Sequence, residues 1–505
     1  MQAAMRDRPV LFWQLFVCVT GAAVMAVEFS GERLLAPYFG SSEPVWGGLI
    51  GLVLLALAVG YRWGGRLADR RPQAVLLGLI VVAAGAFVGA LPEMAQPILE
   101  TTVRGLLFTP GVVALAALCG TALLLVPPVI ALGAVSPFTL RLVVNDQRRT
   151  GEIAGSLYAW STVGSLIGTF VPVFVTIPDV GVRATLWFSS AALILVGAVV
   201  AGRARYALLL LVPLVGLVFH PRTLKPVAGL VTEVETPYQF ASVYRLPGGD
   251  LALSVNDGAG IQSLYTKARL TGMYYDDFLL LPFAIPGTAP VQTLLLGTAA
   301  GTIPTLYERD VAPYRKVSLT GVEIDPTLTA LGRRYFHLNP KTAVVSADAR
   351  VYLETAKRRL DLIISDAYSQ EIYIPQTLST QQFFALCRQH LAPSGILALN
   401  VNASRPHAPL LAAFERTLGT VFPHVYVARA RGSFNYLVMA SGRPIRLAAP
   451  SELPSFLQAT ATDLQAGLHS AQPRPGLVLT DDRAPVQALT NGMILRALRR
   501  GVAVN

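Results

Sequence analysis

The stretch TLLLGTAAGTIPTLYERD, from Thr293 to Asp310, decides the fold of the second half of the chain. Its apolar run fits a buried strand and leads through Gly297 and Gly301 into a pattern typical of a helix. Glycines at such a turn let backbone N–H groups approach a ligand. Because ligands of an open parallel sheet bind beyond the carboxyl ends of its strands, the stretch predicts a nucleotide-binding turn. The loop has no lysine, which argues against a nucleoside triphosphate.

The apolar runs that follow end in acidic residues. They read VQTLLLG, KVSLTGVEID, AVVSAD, DLIISDAYS and GILALNVN, and helical patterns separate them. This alternation predicts a parallel sheet with helices on both faces, an α/β fold of the Rossmann-like type. Glu323, about 25 residues after the glycine turn, is placed to accept hydrogen bonds from both ribose hydroxyls. Asp348 could accept one from an adenine amino group, and Asp366 closes the fourth strand.

Residues 226–285 have a different texture. The stretch TPYQFASVYRLPGGDLALSVNDGAGIQSLY has two or three β-rich runs, separated by Pro-Gly-Gly-Asp and Asn-Asp-Gly turns. It predicts a small antiparallel lead-in. We therefore expect three parts: a polytopic membrane domain over 1–225, the lead-in over 226–285 and a nucleoside-binding domain over 286–505.

The membrane prediction rests on apolar runs in the first 225 residues. Hydrophobic residues make up 53% of the chain and charged residues 14%, unlike a soluble globular protein. Roughly 20 apolar residues suffice for a membrane-spanning helix. Six such runs occur, at 11–30, 45–61, 74–91, 108–131, 153–176 and 184–201. A seventh run, 206–219, is short by that measure, so the sequence predicts six to seven helices.

Arginines orient this bundle. They concentrate before the first run and in alternate loops, at Arg6, Arg8, Arg62, Arg66, Arg70, Arg71, Arg141, Arg148, Arg149, Arg203 and Arg205. The other loops hold Arg33, Arg104 and Arg183. We expect an inner-membrane protein, and by the positive-inside rule its arginine-rich side faces the cytoplasm. Six spans leave the second half in the cytoplasm and seven place it outside. We expect six, because a nucleoside-type ligand is made inside cells.

Small residues in GSLYAWSTVGSLIGTF, Gly155 to Phe170, are spaced along one helix face. Gly and Ser at such spacing let two membrane helices approach closely. The stretch predicts a tight helix–helix contact.

Charge and cysteine usage exclude other classes of protein. The net charge of +11 is spread evenly, +6 up to Lys225 and +5 after it, so no clustered basic patch predicts nucleic-acid binding. The three cysteines form no CxxC pair and the six histidines are scattered, so neither a metal site nor a disulfide framework is expected.

Over roughly residues 230–445, the order of elements resembles the spermidine synthase family. With its multispanning first half and the late stretch LTDDRAPVQAL (Leu479–Leu489), the whole chain looks like the bacterial membrane-fused members. The loop GYRWGGRLADRRPQ (Gly60–Gln73) resembles a major facilitator loop. The resemblance implies an aminopropyltransferase that moves an aminopropyl group from decarboxylated S-adenosylmethionine to putrescine or a related amine. It implies no metal, and a homodimer would fit.

The resemblance also assigns site residues. The donor would be bound by Gln262, Gly297, Gly301, Glu323, Asp348 and Ala349. The acceptor would be bound by Tyr274, Tyr275, Asp276, Tyr368, Ser369 and Glu371. Asp366 would orient and deprotonate the attacking amine, the general-base role of a buried carboxylate. Helix caps are the alternative for Asp348 and Asp366.

Two departures from the family pattern keep other functions open. Ala300 stands where the family has an acid for the donor's ammonium, and Ser369 stands where a second acid would hold the far end of a diamine. Glu371, Asp276 or Asp277 could substitute. A methyltransferase on the same sheet would explain Ala300, because a donor that keeps its carboxylate would be repelled by an acid. A polyamine transporter or sensor with a non-catalytic nucleoside-binding domain is the third hypothesis.

Overall fold

A computed structural model describes residues 8–40, 43–106, 110–144, 147–219, 223–256, 258, 260–356, 358–369, 372–430, 434–471 and 476–498. Its chain divides into two compact units. The N-terminal unit holds Met1–Pro226 with Glu235–Phe240, and the C-terminal unit holds Val227–Val234 with Ala241–Asn505. The lead-in and the larger sheet thus share most of one unit.

The N-terminal unit is helical. Its helices are α1 (Val10–Phe39), α2 (Glu43–Arg70), α3 (Ala74–Leu106), α4 (Pro110–Leu124), α5 (Val126–Gly133), α6 (Val135–Val143), α7 (Thr150–Val171), α8 (Ile177–Ala201) and α9 (Leu211–Phe219). Five described stretches are long and apolar enough to cross a membrane: Val10–Phe39, Pro44–Arg70, Ala74–Thr102, Val126–Val143 and Thr150–Ala201. The predicted class of this half, a helical region with several long apolar helices, is confirmed.

The longest of these stretches folds as two runs. Its 52 residues would extend about 78 Å as a straight helix, more than twice the roughly 30 Å of a bilayer core. A π-helical turn at Pro172–Thr176 and non-helical backbone at Gly181, with φ 86°, interrupt it. The first break forms the end of the predicted run 153–176, and the second falls between that run and the run 184–201.

The fourth predicted run, 108–131, is part of a longer bent helix. Leu125 donates to Thr121 and Ala134 donates to Ile130, so the helical hydrogen bonds continue across both breaks from α4 to α6. Prolines 127, 128 and 137 lie beside these breaks and account for the bends. The start of the predicted run, residues 108 and 109, lies outside the described residues.

Two glycines of α7 bring its backbone against that of α1. A Cβ added at Gly164 would lie 1.9 Å from the carbonyl oxygen of Cys18, and one at Gly168 would lie 2.0 Å from that of Ala22. Only glycine fits at such a distance. The close contact predicted from this stretch is therefore confirmed.

The C-terminal unit contains two sheets. The smaller one is the predicted β-rich lead-in, with strand order β1-β2-β3-β4. Adjacent strands β2 to β4 pair antiparallel. Its strands are β1 (Leu230–Glu235), β2 (Phe240–Arg245), β3 (Leu251–Val255) and β4 (Ile261–Tyr265).

The larger sheet has the order β12-β10-β11-β9-β8-β5-β6-β7. Its strands are β5 (Val291–Leu296), β6 (Val317–Glu323), β7 (Ala343–Ser346), β8 (Leu360–Ser365), β9 (Leu391–Asn402), β10 (His424–Arg429), β11 (Asn435–Ser441) and β12 (His469–Ser470). Strands β5 to β9 run parallel, as the alternating pattern predicted. The antiparallel edge of β10 to β12 was not predicted.

Nine helices complete the described part of this unit: α10 (Tyr275–Phe278), α11 (Leu281–Ala284), α12 (Thr302–Leu306), α13 (Pro326–Tyr335), α14 (Ala349–Thr355), α15 (Gln381–His390), α16 (Pro409–Gly419), α17 (Ser455–Gly467) and α18 (Val486–Leu498). Leu294 and Leu296 of β5 join one apolar core, while Leu295 joins the core on the opposite face. The sheet is thus covered on both faces. Its strand order reverses between β5 and β8, where ligands of such sheets bind.

Candidate active site

The glycine turn follows β5 at the point where the strand order reverses. Gly297 has φ 85° and Gly301 has φ 91°, in the left-handed region that favours glycine. A Cβ at Gly297 would lie 2.6 Å from the carbonyl oxygen of Asp366 and from Cα of Ala367. The ends of β5 and β8 therefore approach each other closely because residue 297 lacks a side chain.

Glu323, at the end of β6, holds this turn in place. Its Oε2 accepts hydrogen bonds from the N–H groups of Thr298 (3.1 Å) and Ala299 (2.7 Å). Its Oε1 accepts from the N–H of Asp325 (3.1 Å). Burial raises the pKa of Glu323, and these backbone donors oppose the rise. A carboxylate offers about four acceptor positions, so about one is left for a ribose hydroxyl rather than the two that were predicted.

Asp366 follows β8 and lies beside the glycine turn. Its Oδ1 accepts a hydrogen bond from Nδ2 of Asn400 (2.8 Å), and its Oδ2 accepts a long one from the Tyr274 hydroxyl (3.4 Å). Burial raises the pKa of Asp366 to about 7, although both hydrogen bonds lower it. A carboxyl group with this pKa exchanges a proton near neutral pH, as a general base must.

Three tyrosines surround this carboxyl group. The rings of Tyr274 and Tyr275 stand 4.1 Å apart between centroids. The Tyr275 hydroxyl donates to the carbonyl of Ile261 (3.1 Å), and the Tyr368 hydroxyl donates to that of Asn400 (2.9 Å). Burial raises the pKa of Tyr274 and Tyr368, and the charge of Asp366 raises it further. The tyrosines therefore stay neutral hydrogen-bond donors.

The carboxyl group of Asp366, two of the tyrosines and the glycine turn line one pocket of about 260 Å³, its open mouth included. Five predicted residues line it: Gln262, Tyr274, Tyr275, Gly297 and Asp366. Thr298, Ala299, Thr302 and Ile303 line it as well and were not predicted. Neither was Asn400, although its place near the carboxyl end of β9, next to β8, was a usable signal.

Several predicted residues lie elsewhere. Asp348 is exposed, and its Oδ1 caps α14 by accepting from the N–H groups of Arg350 (2.9 Å) and Val351 (3.0 Å). Ala349 is the first residue of that helix. The helix-cap alternative thus describes what Asp348 does here, while the adenine contact stays a prediction.

Of the residues predicted to bind the acceptor amine, some also lie away from the pocket. Asp276 is buried and accepts from the backbone of Thr271 and Gly272, so it stabilises a local turn and does not line the pocket. Ser369 is exposed and pairs with Tyr373 through an isolated β-bridge. Glu371 lies outside the described residues.

Ala300 has a structural position. It is fully buried, its N–H donates to Oγ of Ser263 (2.9 Å), and it packs with Leu328 and Phe336 of an apolar cluster. Ala300 is not among the residues that line the pocket, whereas Ala299 is. Asp366 is the one carboxyl group among the described residues that line it.

No group of three or more His, Cys, Asp and Glu side chains in the described part of the chain is arranged to hold a metal ion.

A parallel sheet with a glycine turn, an acid after the second strand and a half-buried acid after the fourth defines a Rossmann-like class of domain. No family model matches the chain. It is 36% identical over 196 residues to the "Probable polyamine aminopropyl transferase" of Bifidobacterium longum, covering 38% of this chain and 42% of that one. It is 28% identical over 213 residues to the polyamine aminopropyltransferase of Vibrio vulnificus, covering 40% of this chain and 70% of that one.

A solved structure of similar fold is a spermidine synthase, described as probable, from Corynebacterium glutamicum. Its TM-score is 0.41 at 20% identity, over 51% of this chain and 97% of that one. The chain covers less than half the length of the Bifidobacterium relative. Both curated relatives are named as polyamine aminopropyltransferases, and this chain is similar to them over about two fifths of its length.

Proposed function

We propose that the chain is a membrane-anchored aminopropyltransferase. It would transfer an aminopropyl group from decarboxylated S-adenosylmethionine to putrescine or a related small amine. One observation carries the proposal: Asp366, with a pKa raised to about 7, faces a tyrosine-lined pocket beside the glycine turn. The relatives named as polyamine aminopropyltransferases support the same reaction. Homodimer formation stays a prediction.

The reaction needs a neutral amine, which is a minor species at pH 7 because alkylamines are protonated there. Asp366 takes the proton, and the amine nitrogen then attacks the carbon next to the sulfonium. A C–N bond forms and a C–S bond breaks. The sulfur keeps the electron pair and leaves as the neutral thioether of 5′-methylthioadenosine. A general base of this kind contributes typically 10²–10⁴-fold, and alignment of the two reactants adds to it.

Residues of the pocket have separate tasks in this proposal. The remaining acceptor position of Glu323 would hold the nucleoside end of the donor, because the N–H groups of Thr298 and Ala299 already donate to this carboxylate. Tyr274 and Tyr275 would form the wall against which the aliphatic amine lies. Neutral tyrosine rings also attract a cationic amine over their faces.

The test gives the purified full-length chain either decarboxylated S-adenosylmethionine or S-adenosylmethionine as the donor. Decarboxylated S-adenosylmethionine with putrescine should give spermidine and 5′-methylthioadenosine by mass spectrometry. The same mixture with Asp366→Asn is the matched control and should give at least 100-fold less product. Product formed equally well by the control would refute the role of Asp366.

Methyl transfer is the second candidate, and the placement of Ala300 favours it. The family's acid for the donor's ammonium is replaced here by a buried alanine outside the pocket. A donor that keeps its carboxylate meets no opposing acid at that position. If S-adenosylmethionine methylates an amine in the assay while its decarboxylated form stays intact, methyl transfer replaces our first proposal.

A further inference from the structure

The segment Ala204–Phe219 is longer than its residue count suggests. Ala204–Leu210 is a 3-10 helix of seven residues, and Leu211–Phe219 is an α-helix of nine. A 3-10 helix rises about 2.0 Å per residue and an α-helix about 1.5 Å. The segment therefore extends about 28 Å, close to the roughly 30 Å of a bilayer core. Because part of the segment is a 3-10 helix, it is long enough to form a seventh membrane span.

Contacts inside the N-terminal unit show that this segment returns along the whole of α8. Ser190 of α8 and Val212 both contact Gly89 of α3. Gly216 lies against the ring of Trp187, whose Nε1 would be 2.5 Å from an added Cβ. Successive residues of the segment thus meet successively earlier residues of α8. Over these residues the two run antiparallel.

The chain after this segment is tied to the far end of the bundle. Arg183, at the start of α8, donates to the carbonyl of Thr223 (2.6 Å). Tyr38, at the end of α1, donates to the carbonyl of Leu224 (3.0 Å), and Nζ of Lys225 donates to the carbonyl of Pro37 (2.6 Å). If α8 crosses the membrane, residues 223–225 lie on the side opposite to residues 201–204.

The remaining helices are consistent with the same two sides. Gly164 and Gly168 of α7 meet Cys18 and Ala22 of α1 in the same order along both helices, so α7 runs parallel to α1. Gly78 of α3 meets Ala201 of α8, as an antiparallel pair requires. The arginine-rich loops 62–71, 141–149 and 203–205 therefore share one side, and the end of α1 lies on the other.

We propose that Ala204–Phe219 is a seventh membrane span, so that all residues after Lys225 lie outside the cytoplasm. The arginine-rich side faces the cytoplasm by the positive-inside rule, and residues 223–225 leave the bundle on the opposite side. This replaces the six-span, cytoplasmic arrangement expected from the sequence. It holds whatever reaction the pocket performs, since it rests on contacts within the N-terminal unit alone.

The inference has a chemical consequence for the pocket. A sulfonium donor is permanently charged, and a polyamine is mostly protonated at neutral pH. Charged groups cross a hydrocarbon core at high cost. An outward-facing pocket meets amines that arrive from outside. Its donor has to be delivered across the membrane by a separate transport step.

Cysteine labelling of the full-length chain in intact spheroplasts tests the topology. The background replaces Cys18, Cys119 and Cys387 by alanine. Exposed single cysteines are then introduced as Lys341→Cys in the C-terminal unit, Arg70→Cys at the end of α2, and Asp179→Cys near the start of α8.

We expect a membrane-impermeant maleimide to label Lys341→Cys and Asp179→Cys in intact spheroplasts, and Arg70→Cys only after lysis. Labelling of Lys341→Cys only after lysis, together with Arg70→Cys, would overturn the proposal. The readout is independent of activity, so failure of the proposed function leaves it intact.

A second inference concerns Asp481, in the stretch Leu479–Leu489. Its two carboxylate oxygens accept from the two terminal nitrogens of Arg350, at 2.8 and 2.7 Å, and Oδ1 also accepts from the hydroxyl of Thr380 (2.6 Å). The hydrogen bonds from Arg350 lower the pKa of Asp481 to about 2. Arg350 lies two residues after Asp348, whose carboxylate accepts from the Arg350 backbone.

The geometry assigns Asp481 as a positioning residue for the nucleoside end of the pocket. The bidentate pair holds the first turn of α14 and with it Asp348, the residue predicted to meet the adenine. This inference rests on the proposed function, because it presumes that a nucleoside binds there. Asp482, the exposed neighbour, has no such pair among the described residues and serves as a matched control.

Calorimetry with 5′-methylthioadenosine and steady-state kinetics of the full-length chain test this assignment. Binding by the parent is established first, in the test of the proposed function. Asp481→Asn should then weaken binding about three- to tenfold and raise the donor KM by the same factor, with kcat changed less than twofold, while Asp482→Asn matches the parent. Asp481→Glu should restore part of the affinity. Equal affinity of Asp481→Asn and the parent would refute the assignment without touching the function.

Discussion

Asp366 and Asp348 both follow a parallel strand of the same sheet, but their surroundings differ. Asp366 lies in a pocket, accepts from two side chains, and has a pKa raised to about 7. Asp348 is exposed and accepts from two N–H groups at the start of α14. The inner strand ends, β5 and β8, therefore form the candidate site, while the carboxylates at the outer ends mainly accept hydrogen bonds from the backbone. Position after a strand does not by itself distinguish a base from a helix cap.

Asp366→Asn is expected to have the largest effect of the variants at the two strand ends. We expect product formation to fall about 10²–10⁴-fold, because asparagine cannot take the amine proton. Single-turnover kinetics with decarboxylated S-adenosylmethionine measures the loss. Asn400→Asp is unsuited as a control because it adds a second charge, whereas Gln292→Asn, outside the pocket, should leave the rate unchanged. A loss below tenfold would move Asp366 into the group of structural acids.

Ala300→Asp tests whether residue 300 of the glycine turn faces the apolar cluster and not the pocket. The new carboxylate would lie in the apolar cluster around Leu328 and Phe336, which should destabilise the C-terminal unit by about 3 kcal/mol or more. Ala299→Asp is the matched control. Residue 299 lines the pocket and has φ 45°, a region that aspartate tolerates.

Hydrogen exchange of peptides from β5 and β6 distinguishes the two variants. We expect faster exchange for Ala300→Asp and parent-like exchange for Ala299→Asp. The opposite ranking would show that residue 300 faces the pocket.

The pH dependence of the reaction rate tests the role of Asp366 without a mutation. Asp366 is active when deprotonated, and its pKa of about 7 lies in the assay range. The rate should fall about tenfold for each pH unit below 7 and level off above it. Since the folded pKa is raised, Asp366 costs stability as the pH rises from about 4 towards 7, and Asp366→Asn should unfold at higher temperature at pH 8. A rate that is flat from pH 5 to 8 would contradict this role.

Asp348→Ala examines the outer strand end. Loss of the cap should destabilise α14 by about 0.5–2 kcal/mol, seen as faster exchange over Ala349–Thr355. Asp348→Asn keeps a capping oxygen and should leave exchange unchanged. If Asp348→Ala instead abolishes nucleoside binding with α14 intact, the two strand ends are more alike than we propose.

Ala299→Gly is expected to have the smallest effect. Residue 299 has φ 45°, which costs an alanine roughly 1 kcal/mol relative to glycine. The variant should exchange more slowly over the turn, with unchanged activity. The same change at Ala300, which lies outside the left-handed region, provides no such gain and is the control.

Most of the fold could be predicted from sequence periodicity. The alternating apolar runs gave the parallel strands, and the Pro-Gly-Gly-Asp and Asn-Asp-Gly turns gave the lead-in. The antiparallel edge of β10 to β12 was missed, because strand direction depends on tertiary pairing. The 3-10 helix of Ala204–Leu210 was missed as well, since a run of 3-10 helix has no distinct apolar period.

The candidate site was predictable only in part. Gly297 and Asp366 carry local signals, a turn and a strand-end acid, and both line the pocket. Asn400, Thr298 and Thr302 are polar residues of ordinary type, and only the sheet order brings them to Asp366 or the turn. Glu323 was expected to bind ribose, but its acceptor positions are mostly used by the turn's own N–H groups.

The glycine contact between α1 and α7 limits how the bundle can move. Two main chains that touch at Gly164 and Gly168 cannot slide without collision. Alternating-access transport requires one group of helices to rock against another, so any such hinge in this bundle has to leave α1 and α7 as one rigid pair. Saturation mutagenesis at the two positions should accordingly recover glycine alone.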